Sequence, residues 1–171
     1  MKLGNKYFYG KEFRVTKSLK NKFEIRIDGK KYLYTKPSLN GKHQEENASI
    51  SIYFAKILKN MGYRLNTKDI NAAIKKTVWP GRLEIINYKH KKIILDGSHN
   101  IDGADKLNEF LKTKRIKPIV LFGMLNNKKA NLFLNKIKKR VSKVLAIEIP
   151  DEKNSFKTKR INEICNSHSI K

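Results

Sequence analysis

With 171 residues and 39% hydrophobic side chains, the chain can bury one ordinary core or two small ones. Its formal charge of +24, from 39 Lys and Arg against 15 Asp and Glu, is spread along the sequence together with asparagine and isoleucine; this marks a compositional bias and not a focused basic stripe. The single cysteine, Cys165, excludes an internal disulfide and a thiolate metal cage. The start, MKLGNKYFYG, has no apolar h-region, and no apolar run is long enough to span a bilayer, so a soluble cytoplasmic protein is expected.

From Lys6 to Thr35, short aromatic and β-branched runs (YFYG, FEIRI, KYLYT) read as antiparallel strands, with FEIRIDGKKYLYT a hairpin turning at Asp28-Gly29. Pro37 to Gly41 reads as a loop. In HQEENASISIYFAKILKNMGY, the spacing of Ile50, Tyr53, Phe54, Ile57, Leu58 and Met61 predicts a helix with that face inward. A second helix, capped by Thr67, carries Ile70, Ala73 and Ile74 inward. Trp79-Pro80-Gly81 then stops all periodicity, and a domain boundary is placed near Val78.

Beyond it, strands and helices alternate. Leu83 to Tyr88 and Lys92 to Leu95 read as strands, the latter buried; Ile101 to Leu111 reads as a helix, Pro118 to Phe122 as a strand and Lys128 to Val141 as a helix. Lys143 to Ile149 follows as a strand and Lys157 to Cys165 as a helix. Such alternation predicts an α/β fold with a mainly parallel sheet and flanking helices.

Three segments carry candidate chemistry. In LDGSHNIDGA, the loop from Asp96 to Asn100 lies where a strand ends and a helix begins, the position at which open α/β sheets bind ligands. Two readings stand: a ligand-facing loop, or a turn in which Asp96 and Asn100 cap the helix and Ser98 fills space. In WPGRLE, Arg82 is either a surface arginine or a guanidinium fork presented to phosphate or carboxylate from a stiff segment. In GKHQEEN, helical steps back from Phe54 and Ile50 place Asn47 on the inward face, where its amide caps nearby backbone or meets a ligand.

His99 lacks partners at metal-ligand spacing, and so do His43, His90 and His168. Asn40-Gly41-Lys42 is not a P-loop, because His43 stands where a Ser or Thr would hold magnesium and no glycine lies five residues before Gly41.

As a set, GKHQEEN, WPGRLE and LDGSHNIDGA, followed by PIVLFGML, resemble the folylpolyglutamate synthase and dihydrofolate synthase family of the Mur ligase superfamily. The resemblance covers nearly the whole chain but only the later part of such an enzyme. It implies that residues 1–77 are the end of the central ATP-binding domain, short strands plus two helices without the P-loop. Residues 78–171 would be a Rossmann-like C-terminal α/β domain, truncated at its end.

It further implies an ATP-dependent ligase that activates the carboxylate of a dihydropteroate or folate substrate as an acyl phosphate and joins it to L-glutamate. Asn47, Arg82 and Asp96 match residues of the family that contact ATP; Ser98 and His99 fall near the glutamate or phosphate end. The Mg2+ ligands are expected outside this chain, the isolated chain is expected to be inactive, and the complete enzyme a monomer. Asn126-Asn127-Lys128-Lys129 stands where the family commonly carries an acidic run. The competing expectations are another Mur-type amino-acid ligase and a basic nucleic-acid-binding module. The second lacks a concentrated stripe with interleaved aromatics.

Overall fold

The computed structural model describes residues 6–171, and the chain divides into two compact units, Met1–Glu84 and Ile85–Lys171. The sequence places the division a few residues earlier, near Val78. WPGRLE therefore lies in the first unit.

In the first unit, β1 (Phe13–Ser18), β2 (Lys22–Ile27) and β3 (Lys30–Thr35) form an antiparallel sheet in the order β1-β2-β3. Asp28 and Gly29 both take positive φ, 46° and 79°, the geometry of a two-residue hairpin turn that matches strand twist, and the register closes at Ile27↔Lys30. The register of β1 on β2 shifts between Val15 and Lys17, a bulge that the alternation did not signal. Tyr7 to Gly10, read from sequence as a strand, is loop and turn, and FRVTKS takes the strand position instead. The reason is local: Gly10, at φ 96°, turns the chain so that its N–H donates to the Phe13 carbonyl.

Helix α1 (His43–Asn60) packs on this sheet through Ser49, Ile52 and Tyr53, and the Tyr53 ring stacks on Phe13 at 4.5 Å. Of the face that spacing places inward, Tyr53 is buried and Ile57 packs against the core, while Ile50 is 54% and Phe54 58% exposed, so the face is rotated toward Ile52. Helix α2 (Thr67–Lys76) is capped by Asn66, one residue before the predicted Thr67. The Asn66 side chain accepts from the Asp69 N–H at 2.9 Å. Ile74 is buried as expected, Ile70 is half-buried and Ala73 is exposed. The Asn71 side chain accepts from the Thr35 N–H at 2.7 Å and ties α2 to β3. Between α1 and α2 opens an apolar cavity of about 640 Å3, with Asn47, Phe54, Leu58 and Trp79 in its wall.

In the second unit, β4 (Glu84–Tyr88) and β5 (Lys91–Leu95) pair with each other. A two-residue connection admits only an antiparallel hairpin, and Lys89 and His90 both take positive φ to make it. Helix α3 (Ile101–Lys112) follows. Strand β6 (Ile119–Phe122) pairs in parallel with β7 (Lys143–Ala146) across α4 (Ala130–Ile137) and a short 3-10 turn, and α5 (Thr158–Ser167) comes last. The mixed α/β architecture is present, with the parallel pairing at β6 and β7.

β5 is not the buried strand that its apolar run suggested: Ile93 is 45% and Leu95 49% exposed. The core instead gathers where α3, α4 and α5 meet around Leu134, Ile137 and Ile161, each 0% exposed. Cys165 is buried among them, and burial pushes its thiol above the ordinary value. Alkylation of the native chain by a thiol reagent is therefore expected to be slow and to accelerate sharply across the denaturant transition. A native rate matching that of the unfolded chain would contradict this placement. No helix among the described residues is long and apolar enough to cross a membrane.

Candidate functional site

The three motifs fall into two local settings. Asn47 and Arg82 lie in the first unit; Asp96, Ser98 and His99 share one loop of the second.

Asn47 is exposed on the first turns of α1, at the edge of the cavity, and not on the face that packs on the sheet. Its Nδ2 donates to the Gln44 Oε1 at 3.0 Å, and the buried Gln44 amide is in turn 3.1 Å from the His43 Nε2. Gln44 Nε2 can only donate, so His43 accepts through Nε2 and carries its proton on Nδ1. The relay fixes the Asn47 amide and leaves its carbonyl oxygen to offer a ligand. Gln44 was not singled out from the sequence, although its place one turn before Asn47 is the signal that could have found it. Next to it, the buried Glu45 carboxylate accepts from the Ser18 hydroxyl at 2.7 Å and pairs with Lys36 at 3.1 Å, anchoring the start of α1 to β1.

Arg82 is exposed at the apex of a tight turn. Gly81 takes φ 71°, and its N–H donates to the Glu84 carboxylate at 2.8 Å. Leu83, 3% exposed, takes φ 48°, which for a leucine carries backbone strain of about 1–3 kcal/mol and persists only where neighbours over-determine it. One such neighbour is Asn40, whose Nδ2 donates to the Leu83 carbonyl at 2.9 Å; the Ser38 hydroxyl also donates to the Thr77 carbonyl. The loop before α1 and the WPGRLE turn are therefore stitched together. Trp79, at the start of this segment, is 60% exposed.

In the second unit the capping reading of LDGSHN is realised in part. The Asn100 side chain caps α3, accepting from the Gly103 N–H at 2.8 Å, and the Asp96 Oδ1 accepts from the Ser98 N–H at 3.1 Å. The His99 Nδ1 lies 3.0 Å from the Gly97 carbonyl. A carbonyl only accepts, so Nδ1 carries a proton, and in the neutral form of the exposed ring Nε2 is the acceptor. Ser98 is half-buried against the helix: a Cβ on Gly103 would lie 2.8 Å from the Ser98 Cβ and 2.9 Å from its Oγ. Its surroundings are those of a packing residue. Gly103→Ala is accordingly expected to destabilise the chain by about 1–3 kcal/mol in denaturant unfolding, and the double variant with Ser98→Gly to recover much of that loss. Equal stability of Gly103→Ala and the parent would show that the loop does not press on α3.

The loop after β6 carries Asn126 to Lys129, and the Asn126 N–H donates to the Asn154 carbonyl at 2.7 Å. Two lysines thus stand in this loop. Among the described residues no group of three or more His, Cys, Asp or Glu side chains is placed to hold a metal ion. The first unit thus offers a presented guanidinium and an oriented amide, and the second a polar loop at a helix start.

No family model matches the chain. Over 110 residues it is 34% identical to the dihydrofolate synthase/folylpolyglutamate synthase of Bacillus subtilis (strain 168), across 62% of this chain and 25% of that protein. Over part of its length the chain is thus similar to a protein named as a dihydrofolate and folylpolyglutamate synthase. A second such relative, the folylpolyglutamate synthase of Lacticaseibacillus casei, is 32% identical over 114 residues, 66% of this chain and 26% of that protein. The chain therefore spans about a quarter of the length of the curated relatives it matches.

Among solved structures, the folylpolyglutamate synthase of Thermotoga maritima is similar with a TM-score of 0.72 and 28% identity, over 95% of this chain and 39% of that one. Escherichia coli FolC in complex with DHPP and ADP gives a TM-score of 0.78 over 92% of this chain and 36% of that one; at 18% identity this likeness establishes the fold alone. A bifunctional folylpolyglutamate synthase/dihydrofolate synthase with Mn, AMPPNP and L-glutamate bound has the same fold, with a TM-score of 0.76.

Proposed function

We propose that the chain is the later part of an ATP-dependent ligase that adds L-glutamate to dihydropteroate, to folates or to both. Residues 1–77 would be the end of the central ATP-binding domain of a Mur-type ligase and residues 78–171 its C-terminal α/β domain. The observation that carries the reading is the sequence similarity to two synthases of this activity, 34% and 32% identical, joined to the ordered set of three motifs. The fold shared with synthases solved with ADP, AMPPNP and L-glutamate is consistent with it.

In this reading Arg82 binds the nucleotide phosphates, the Asn47 carbonyl oxygen accepts from the nucleotide, and Asp96 contacts the nucleotide. His99, with its Nε2 as acceptor, stands toward the glutamate end, and Ser98 supports that loop from within. ATP supplies the phosphoryl group that activates the substrate carboxylate. The P-loop and the Mg2+ ligands belong to the part of the ligase outside these residues. The enzyme would work in the cytoplasm as a monomer, with neither membrane nor nucleic acid as partner.

The test is reconstitution. The chain is combined with a P-loop-bearing part, ATP, Mg2+, L-glutamate and either dihydropteroate or a peptidoglycan nucleotide, and product is followed by mass. Glutamylation of the pterin only with both parts present is the expected result. Glutamylation of neither, or ligation to the peptidoglycan nucleotide alone, would sink the reading.

A further inference from the structure

The geometry points to Asn40 as a positioning residue for Arg82, acting through the Leu83 carbonyl; the inference rests on the proposed reading of Arg82 as a nucleotide contact. An exposed arginine on a turn has wide rotamer freedom, and its useful reach is set by where its backbone is held. Here the backbone is held on both sides. Gly81 donates to Glu84 at 2.8 Å, which closes the turn on itself, and the Leu83 side chain is buried at a positive φ of 48°. The first acts within the turn, and the second gives only a non-directional packing contact toward the loop before α1.

Asn40 adds the directional contact. Its amide spans 43 residues of sequence to donate to the Leu83 carbonyl at 2.9 Å, from the loop that leads into α1 and Asn47. The close approach depends on the next residue, since a Cβ on Gly41, at φ 102°, would lie 2.6 Å from the His43 ring and 3.1 Å from the Leu83 side chain. The loop thus carries a donor and a bare backbone side by side. Together they register the arginine turn against the helix that bears the second proposed nucleotide contact. An amide suits the task because the acceptor is a carbonyl: a carboxylate of the same shape has no hydrogen to give.

The experiment is a double-mutant cycle on the chain combined with the P-loop-bearing part, with Mg-ATP affinity read by calorimetric titration. Arg82→Ala is expected to weaken binding by roughly 10-fold or more, as loss of a charged hydrogen bond would. Asn40→Ala, and the isosteric Asn40→Asp as a second variant, should each weaken it by roughly 3–10-fold, with faster hydrogen exchange confined to the turn. The decisive arm is Asn40→Ala in the Arg82→Ala background, where no further loss is expected because the residue it acts through is gone. If Arg82→Ala weakens binding and Asn40→Ala does not, or if the two losses add, the positioning role is wrong while the reading of Arg82 stands. If Arg82→Ala binds as the parent does, or the parent shows no saturable binding, the nucleotide reading fails and takes this inference with it.

Discussion

Arg82→Ala is expected to lower kcat of the reconstituted ligase by roughly 10²–10³-fold, the loss seen when one donor aimed at developing charge is removed. Part of the fall should appear as the weaker ATP binding expected for this variant, and the larger part in kcat, because the guanidinium gains further as charge develops on the transferring phosphoryl group. Arg82→Lys should restore little, since an ammonium cannot reproduce the planar fork. The structure gives the prediction its basis: the side chain is exposed on a turn whose backbone is held by Glu84, by the buried Leu83 and by Asn40. A full ligation rate for Arg82→Ala would contradict the assignment and leave Arg82 as a surface charge.

The second large effect concerns the face of α1. Ile52, 1% exposed, is expected to cost about 2–5 kcal/mol on truncation to alanine, as buried isoleucines do. Phe54, only two residues on but 58% exposed, should cost less than about 1 kcal/mol in the isolated chain. Periodicity alone ranks the two in the opposite order. Denaturant unfolding of both variants decides between them: a larger loss at Phe54 would mean that the apolar stripe, and not the Ile52 face, is the one packed on the β1-β2-β3 sheet.

This contrast shows what the sequence carries and where its information stops. Local chemistry was legible: Asp28-Gly29 makes the hairpin turn it signals, Asn100 caps α3, and each helix lies within a few residues of its predicted span. Helical spacing in α1 correctly finds an apolar face through Ile50 and Phe54, but spacing does not say which partner a face meets. The sheet takes Tyr53 from that face together with Ser49 and Ile52, while Ile50 and Phe54 stay exposed, and Asn47 emerges exposed beside the cavity. The same limit applies to β5, whose apolar run suggested burial while Ile93 and Leu95 remain exposed.

At the candidate site, the motif residues were readable and their supports were not. Gln44 orients Asn47 within one helical turn, a link that their spacing of three residues makes possible. The bond from Asn40 to Leu83 joins residues far apart in sequence, and nothing local announces it. Ser98 illustrates the reverse case: its place in a ligand-like loop suggested substrate, while its fit against Gly103 is a packing relation visible only in three dimensions.

Trp79, the single tryptophan of the chain, stands 60% exposed in the wall of the α1-α2 cavity, three positions before Arg82. The molecule therefore carries its own optical probe at the place where its proposed chemistry is prepared. Indole emission shifts to the blue as water is withdrawn, so any polypeptide or ligand that covers this face will announce itself in the fluorescence of an unlabelled chain.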